Sequence, residues 1–450
     1  MSAQIVFLTL FLGIVSGQQP IALQVSGPVE LVRVTLGGRQ VVTLTQAPWR
    51  AIIDFGPELT AQELTAVGFD AQGNEVALAT QIVNLPRPMA EFEILLDRDG
   101  VSLTWRHLMN AQPAGATTTL DGKPLALDGS LHARLPKLDR DVPHLLSAEM
   151  RFQDGFVARR ELVIESVRSA STGTQLTPIM VRETSPNHPP AWDGCLATQD
   201  GRAVRTTAVE KQRALLVIVR NPDARETAQA FGMSRRIGFG WDFSQVRRAV
   251  PLDSGTVWRV LWPVAARVTD GKGTTSILFP ATADLSAPGS GLLYPMLIGY
   301  DSRHNEGEKR QFADAVAVAG LQAMTGAQRR AVILILSSTA DASDHDPAAV
   351  RRYLQSLGVP LLVWSVKGPR PDLAESWGEV EDISSLAKLD AASKRLRRVL
   401  EEQRVAWVEV DPLTALTLQA KGDCGITPVA RPRSTVLLPA SGEKVPRSGG

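Results

Sequence analysis

The chain has 450 residues, with 48 Lys+Arg against 47 Asp+Glu and a formal net charge of +1 at pH 7. That length exceeds one ordinary domain and points to two or three modules, while near-neutrality leaves no electrostatic footprint for nucleic acid. A composition of 44% hydrophobic and 21% charged residues is globular, and two cysteines exclude both a disulfide-dense scaffold and a zinc module built on four thiolates.

The first element in chain order is the run Ile5 to Val15, almost wholly apolar and uncharged, ending in Val15-Ser16-Gly17 before Gln18-Gln19-Pro20. It falls far short of the roughly 20 residues a spanning helix requires. Its shape is that of a signal-peptide core with small residues at the cleavage point, which predicts a leader over residues 1–17 cut between Gly17 and Gln18. Met1 to Gln4 carry no Lys or Arg, and a buried first strand or helix of the mature protein is the other reading of the same run. A removed leader implies a secreted or periplasmic protein. No later stretch approaches 18 uninterrupted apolar residues, so no membrane span is expected in the mature chain.

From Gln18 to about Ile164 short alternating runs are broken by turn signals, the pattern of β-sandwich modules. Val32, Val34 and Leu36 alternate with Arg33 and Thr35; Val101, Leu103 and Trp105 with Ser102, Thr104 and Arg106; Leu146, Ala148, Met150 and Phe152 with Ser147, Glu149 and Arg151. Each run has one apolar and one polar face. Leu64-Thr65-Ala66 followed by Phe69 and Gly73 is echoed by Leu146-Ser147-Ala148 followed by Phe152 and Gly155, which reads as two copies of one strand-turn-strand unit. The Leu64–Glu75 phrase resembles the penultimate strand and turn of bacterial immunoglobulin-like domains. Two Ig-like modules are therefore expected, over residues 18–88 and 89–165, with the seam at Asn84-Leu85-Pro86-Arg87-Pro88, where two prolines interrupt a sheet. Residues 166–195, with Pro178 and the run Ser185-Pro186-Asn187-His188-Pro189-Pro190, read as a linker.

Beyond the linker, Ala214–Val219, Ala331–Leu336 and Val359–Trp364 are continuous apolar runs, as expected of strands inside a parallel sheet covered on both faces. Helical patterns lie between and after them: Glu308–Met324, Pro347–Leu357 with Asp346 as N-cap, and Asp390–Gln403. The expectation is a doubly wound α/β domain over residues 196–418, then a partly disordered tail over 419–450 that is rich in Pro, Ser and Gly.

Three stretches of this region resemble the von Willebrand factor type A family, in particular its bacterial relatives. They are Leu215–Val219, Gly289-Ser290-Gly291-Leu292-Leu293-Tyr294-Pro295-Met296-Leu297, and the segment from Arg329 through Leu336 to Gly358–Val366. The resemblance implies a Rossmannoid fold with a metal-ion-dependent adhesion site, where an Asp-x-Ser-x-Ser loop, a Thr and an Asp hold a divalent cation that takes its last ligand from a partner's carboxylate. Such an ion requires hard oxygen ligands. On the matching positions this chain carries Arg220, Pro222 and Ala224, then Gly291 and Ser338, so the resemblance implies a degenerate site without metal. It also implies a domain whose ends lie close together, which makes Cys195 and Cys424 a candidate disulfide; two free thiols are the alternative.

Other constellations are weaker. Asp341, Asp344 and Asp346 with His345 read as a solvated loop in which Asp346 caps a helix, or as a replacement metal site. Gly271-Lys272-Gly273 reads as a hairpin turn, not a phosphate loop. No Gly-x-Ser-x-Gly, His-Glu-x-x-His or Cys-x-x-Cys motif occurs, and no residue is nominated as catalytic. The expectation is an exported, non-catalytic, adhesion-type protein that binds an unidentified protein partner without cofactor or nucleic acid. A structural cell-envelope scaffold and an enzyme of unrecognised class are the alternatives.

Overall fold

The computed structural model describes residues 3–11, 13–86, 90–96, 100–107, 112–139, 142, 144–153, 157–164, 177–184, 192–233, 235–236, 240–241, 255–270, 273–285, 292–298, 309–337, 340–421 and 424–430. The chain is multidomain, with two β-sandwich modules of one topology ahead of an α/β layer. In the first, Gln4–Phe7, Gln18–Ser26 and Arg50–Asp54 form a three-stranded sheet. It faces a four-stranded sheet ordered Arg39–Leu44, Leu31–Leu36, Gln62–Phe69, Glu75–Val83. In the second, Ala90–Leu96, Gly100–His107 and His132–Arg134 are opposed by Lys123–Leu125, Pro113–Leu120, His144–Phe152 and Val157–Ile164. In both, the first, second and fifth strands make one sheet and the others make the second. The repeated Leu-x-Ala phrase falls on the sixth strand of each module.

Alternation sets which side chains enter the sandwiches. Val32, Val34 and Leu36 are buried in the first, and Leu146, Ala148, Met150 and Phe152 in the second. His107 closes its strand with its ring packed 4.9 Å from Phe152.

The start of the chain is described as part of the first module. The stretch read as a leader over residues 1–17 supplies the first strand of the first module, with Gln4–Phe7 paired antiparallel to Leu23–Ser26. Ile5, Phe7 and Val15 lie in the module core. A short apolar run with one buried face suits an edge strand, and the second strand pairs with it here.

The α/β domain is built on a five-stranded, wholly parallel sheet ordered Val257–Leu261, Ala214–Arg220, Arg329–Leu336, Leu361–Ser365, Val380–Asp382. Both faces are covered. Leu216, Ile218, Ala331 and Ile333 pack with the helices Leu293–Leu297 and Leu386–Glu401, while Leu215, Val217, Val332 and Leu334 pack with Phe312–Ala323 and Pro347–Ser356. At the base of the central strand two consecutive arginines point to opposite faces. Arg329 Nη1 donates to Leu400 O near the end of one helix, and Arg330 Nη1 donates to Ala323 O at the end of another. Each guanidinium meets the negative end of a helix dipole.

The boundaries of this domain are wider than expected. Thr177–Glu183, inside the predicted 166–195 linker, is a strand between Gln403–Val408 and Ile426–Pro428, and Thr206–Glu210 completes that antiparallel sheet. Pro178 is tolerated because it faces Trp407 where Ile426–Pro428 does not reach, so no ladder bond is lost on that side. The same sheet and the pairing of Gln419–Ala420 with Leu196–Ala197 extend the domain past 418, to the end of the described residues at 430. The rest of the predicted tail, 431–450, lies outside the described residues.

The first module docks directly on the α/β domain. Leu59 and Leu85 join the apolar cluster that holds Val350, Tyr353 and Leu354. Arg352 pairs with Glu58 at 2.6 Å. Asn84, expected at a seam, is the pivot of this interface. Its Oδ1 accepts from Val15 N at 2.7 Å, its Nδ2 donates to Val15 O at 2.9 Å and Thr60 O at 3.0 Å, and its carbonyl accepts from the buried Tyr353 hydroxyl at 3.0 Å. Its φ of 57° lies in the left-handed region that Asn tolerates. Asn84→Ala is expected to lower stability by about 3 kcal/mol, from Val15 and Thr60 groups left unpaired and from left-handed strain. Asn84→Gly, which removes the strain alone, is expected to recover about 1 kcal/mol of that loss in urea unfolding.

Candidate functional site

The Ala214–Arg220 strand lies between the strand that follows it in the sheet's chain order, Val257–Leu261, and Arg329–Leu336. Connections therefore leave in opposite directions, and the crevice at the carboxyl ends of these strands is where ligands bind in open parallel sheets. Arg220 ends the Ala214–Arg220 strand at this point, with 1% of its surface exposed.

Its guanidinium is only partly satisfied. Nε donates to Pro295 O at 3.1 Å and Nη1 to Asn221 O at 2.6 Å, which ties the loop after the strand to the Leu293–Leu297 helix. Nη2 is buried with no hydrogen-bond partner. Desolvation pulls the arginine down to about 9, against the weaker opposing pull of Asp223.

The next residues carry no inward-facing acid. Pro222 is buried. Ala224 is buried at the N-cap of the Arg225–Ala230 helix, where it has no side chain to cap with. Asp223 is exposed, accepts from Arg225 N at 2.9 Å and pairs with the Arg225 side chain at 3.7 Å. The structure thus brings Arg220, Pro222 and Ala224 together at the switch point. Gly291 and Ser338 lie outside the described residues.

The acidic loop beside this crevice has a capping role. Asp341 accepts from Phe312 N and Ala313 N, and Ser343 Oγ accepts from Ala313 N and Asp314 N, so both satisfy the open first turn of the Phe312–Ala323 helix. Asp346 caps the Pro347–Ser356 helix through Ala348 N at 2.5 Å. Among the described residues no group of three or more His, Cys, Asp or Glu side chains is placed to hold a metal ion.

One constellation had no signal in the sequence. Ser16 Oγ lies 2.8 Å from His345 Nε2, and His345 Nδ1 lies 2.6 Å from Asp314 Oδ1, with Ser16 on the first module and the other two on the α/β domain. With Nδ1–H directed to Asp314, the Ser16 hydroxyl donates to Nε2. The order resembles a nucleophile, base and orienting acid, but the flanking amides that could stabilise an oxyanion are occupied: Val15 N by Asn84 Oδ1 and Gly17 N by Gly56 O. The three residues join two domains instead. Burial alone would raise the Asp314 carboxyl, yet the His345 ring and the backbone N–H groups of Asp344 and His345 hold it below its ordinary 3.8. A carboxylate held low adds stability that is complete above its unfolded value and is lost as the pH falls below it, so the share contributed by Asp314 is lost in that acid range.

Away from the crevice, Cys195 and Cys424 are joined by a disulfide, with 5.6 Å between their Cα atoms. The bond joins the start of the Leu196–Ala197 strand to the segment leading into Ile426–Pro428, and Lys421 N also donates to Cys195 O at 2.8 Å.

No family model matches the chain, and no curated protein matches it. Among solved structures it is similar to the fibronectin(III)-like modules of Clostridium thermocellum CbhA, at 15% identity over 37% of this chain and 97% of that one, with a TM-score of 0.16. The central fibronectin-III array of RIM-binding protein is 9% identical over 42% of this chain and 81% of that one, with a TM-score of 0.21. A beta-glycosidase from Bacteroides vulgatus is 10% identical over 37% of this chain, which spans 25% of that enzyme, with a TM-score of 0.22. Likenesses of this size assign no activity.

Proposed function

We propose that the chain is an exported, adhesion-type protein in which a von Willebrand factor type A-like domain engages a protein partner without a bridging metal. The observation that carries this reading is the buried guanidinium of Arg220 at the switch point, where the resemblance places a cation held by carboxylate and hydroxyl oxygens. A fixed positive charge there repels a divalent cation and offers it no ligand. The Cys195–Cys424 bond supports export, because such bonds persist in oxidising compartments. Calorimetric titration of the full chain with Mg2+ or Mn2+ is expected to give no saturable heat. Micromolar binding at a fixed stoichiometry would overturn the metal-free reading.

A second reading, a structural envelope scaffold, is favoured by the docking of the first module on the Pro347–Ser356 helix, which consumes a face that a binding protein could have left open. Affinity capture from a cell-envelope fraction separates the two. A partner retained at a fixed ratio to the bait supports binding, and its absence supports the scaffold.

A further inference from the structure

The three-stranded sheet of the first module ends at the Arg50–Asp54 strand, which pairs with Gln18–Ser26 on one side and, among the described residues, with no strand on the other. Bonds flanking that pairing set its phase: Leu23 N donates to Trp49 O at 2.8 Å, and Phe55 N donates to Gly17 O at 2.9 Å. Successive residues of an antiparallel ladder direct their N–H and C=O groups to opposite sides. Ala51 and Ile53 therefore bond inward, and the backbone groups of Arg50, Ile52 and Asp54 point to the open edge. Of these, Arg50 N is already held by Pro48 O at 2.8 Å.

The side chains of the same three residues stand together on the outer face, all exposed. Ile52 is 70% exposed, the highest value among the large apolar side chains described. Edges of this kind are commonly blunted by lysine, proline or a bulge; this strand contains neither residue and runs without a register shift. Its outward sequence, basic then apolar then acidic, is its own complement when a second copy runs antiparallel. Under a twofold axis through Ile52, the two Ile52 side chains meet and each Arg50 lies opposite the other copy's Asp54. A shift of two residues either way sets Ile52 against a charge, so the pattern favours one register.

We infer that the Arg50–Asp54 strand is a self-association edge, pairing antiparallel with the same strand of a second copy and joining two three-stranded sheets into one of six. Ile52 N donates to Ile52 O across the axis and Asp54 N donates to Arg50 O, each bond made twice by symmetry. The inference goes beyond the binding reading above and does not depend on it. A contact built on one short strand from each copy is smaller than a standard interface, so the dimer is weak and reversible.

Sedimentation velocity of the full chain over rising concentration tests this. Wild type is expected to dimerise with a Kd of about 10–100 µM. Arg50→Glu alone sets two carboxylates against each other at both ends of the pairing, and Asp54→Arg alone sets two guanidinium groups there. Each variant by itself is expected to dimerise at least about tenfold more weakly than wild type. An equimolar mixture of the two is expected to recover dimers, because every facing pair then has opposite charges. Ile52→Lys, which places a charge on the axis, is expected to remove the dimer. All three side chains point to solvent, so thermal midpoints near that of wild type verify that the variants fold, and Ile52→Lys carries the test alone if either charge variant does not. A wild type that stays monomeric throughout, or variants that each dimerise as well as wild type, would overturn the inference. Failure of the mixture to recover dimers would overturn the antiparallel register.

Discussion

A chain beginning at Gln18 is expected to lose the cooperative unfolding of its first module. Removing residues 1–17 takes away Ile5, Phe7 and Val15, all buried to 7% exposure or less. At about 1.5–3 kcal/mol for each buried apolar side chain, the loss is roughly 5–9 kcal/mol, comparable with the whole stability of a small domain. Two further losses follow from position. The Gln18–Ser26 strand becomes an unpaired edge open to aggregation, and Asn84 loses both of its bonds to Val15 at the interface. Thermal unfolding and limited proteolysis of the 1–450 and 18–450 chains, side by side, measure this. Equal midpoints and equal nicking patterns would show residues 1–17 to be dispensable, as a cleaved leader must be.

Reduction of the Cys195–Cys424 bond is expected to have the second largest effect. The bond closes a loop with a sequence separation of 229 residues, and the chain-entropy model assigns a closure of that length about 5 kcal/mol as an upper figure. Cys195 itself sits in the cluster of Ile179, Val181, Leu196, Ala406 and Val408, so opening the bond loosens the antiparallel sheet before it touches the parallel one. Guanidinium unfolding of the Cys195→Ser/Cys424→Ser variant should show a lower midpoint. Protease cutting should begin within 177–210 or 403–430, while the Arg329–Leu336 region stays protected. Unchanged unfolding after complete reduction would mean that the sheet holds without its clasp.

Much of the architecture was legible because it depends on local pattern. Alternation exposed the Leu31–Leu36 and His144–Phe152 strands, continuous apolar runs exposed the Ala214–Arg220 and Arg329–Leu336 strands, and an Asp before a Pro marked the start of the Pro347–Ser356 helix. What escaped was non-local. Gln4–Phe7 has too few polar residues to reveal which face is wet, and Thr177–Glu183 is a strand only because Gln403–Val408 and Ile426–Pro428 flank it. The loop at Arg220 was found through resemblance, but burial and the missing Nη2 partner belong to the folded state alone. Ser16, Asp314 and His345 could not be linked by spacing, since 329 residues separate Ser16 from His345.

The docking of Asn84 and Leu85 before the second sandwich, and the capture of Thr177–Glu183 in the antiparallel sheet after it, hold the chain on either side of that sandwich to the same body. That sandwich is therefore a handle, not a bead on a string. A pull on it divides between two attachments, and if it unfolds its ends stay anchored, so the entropy lost on closing the loop is limited in advance and refolding starts from a short search. A partner that grips it would load the α/β domain from two sides at once.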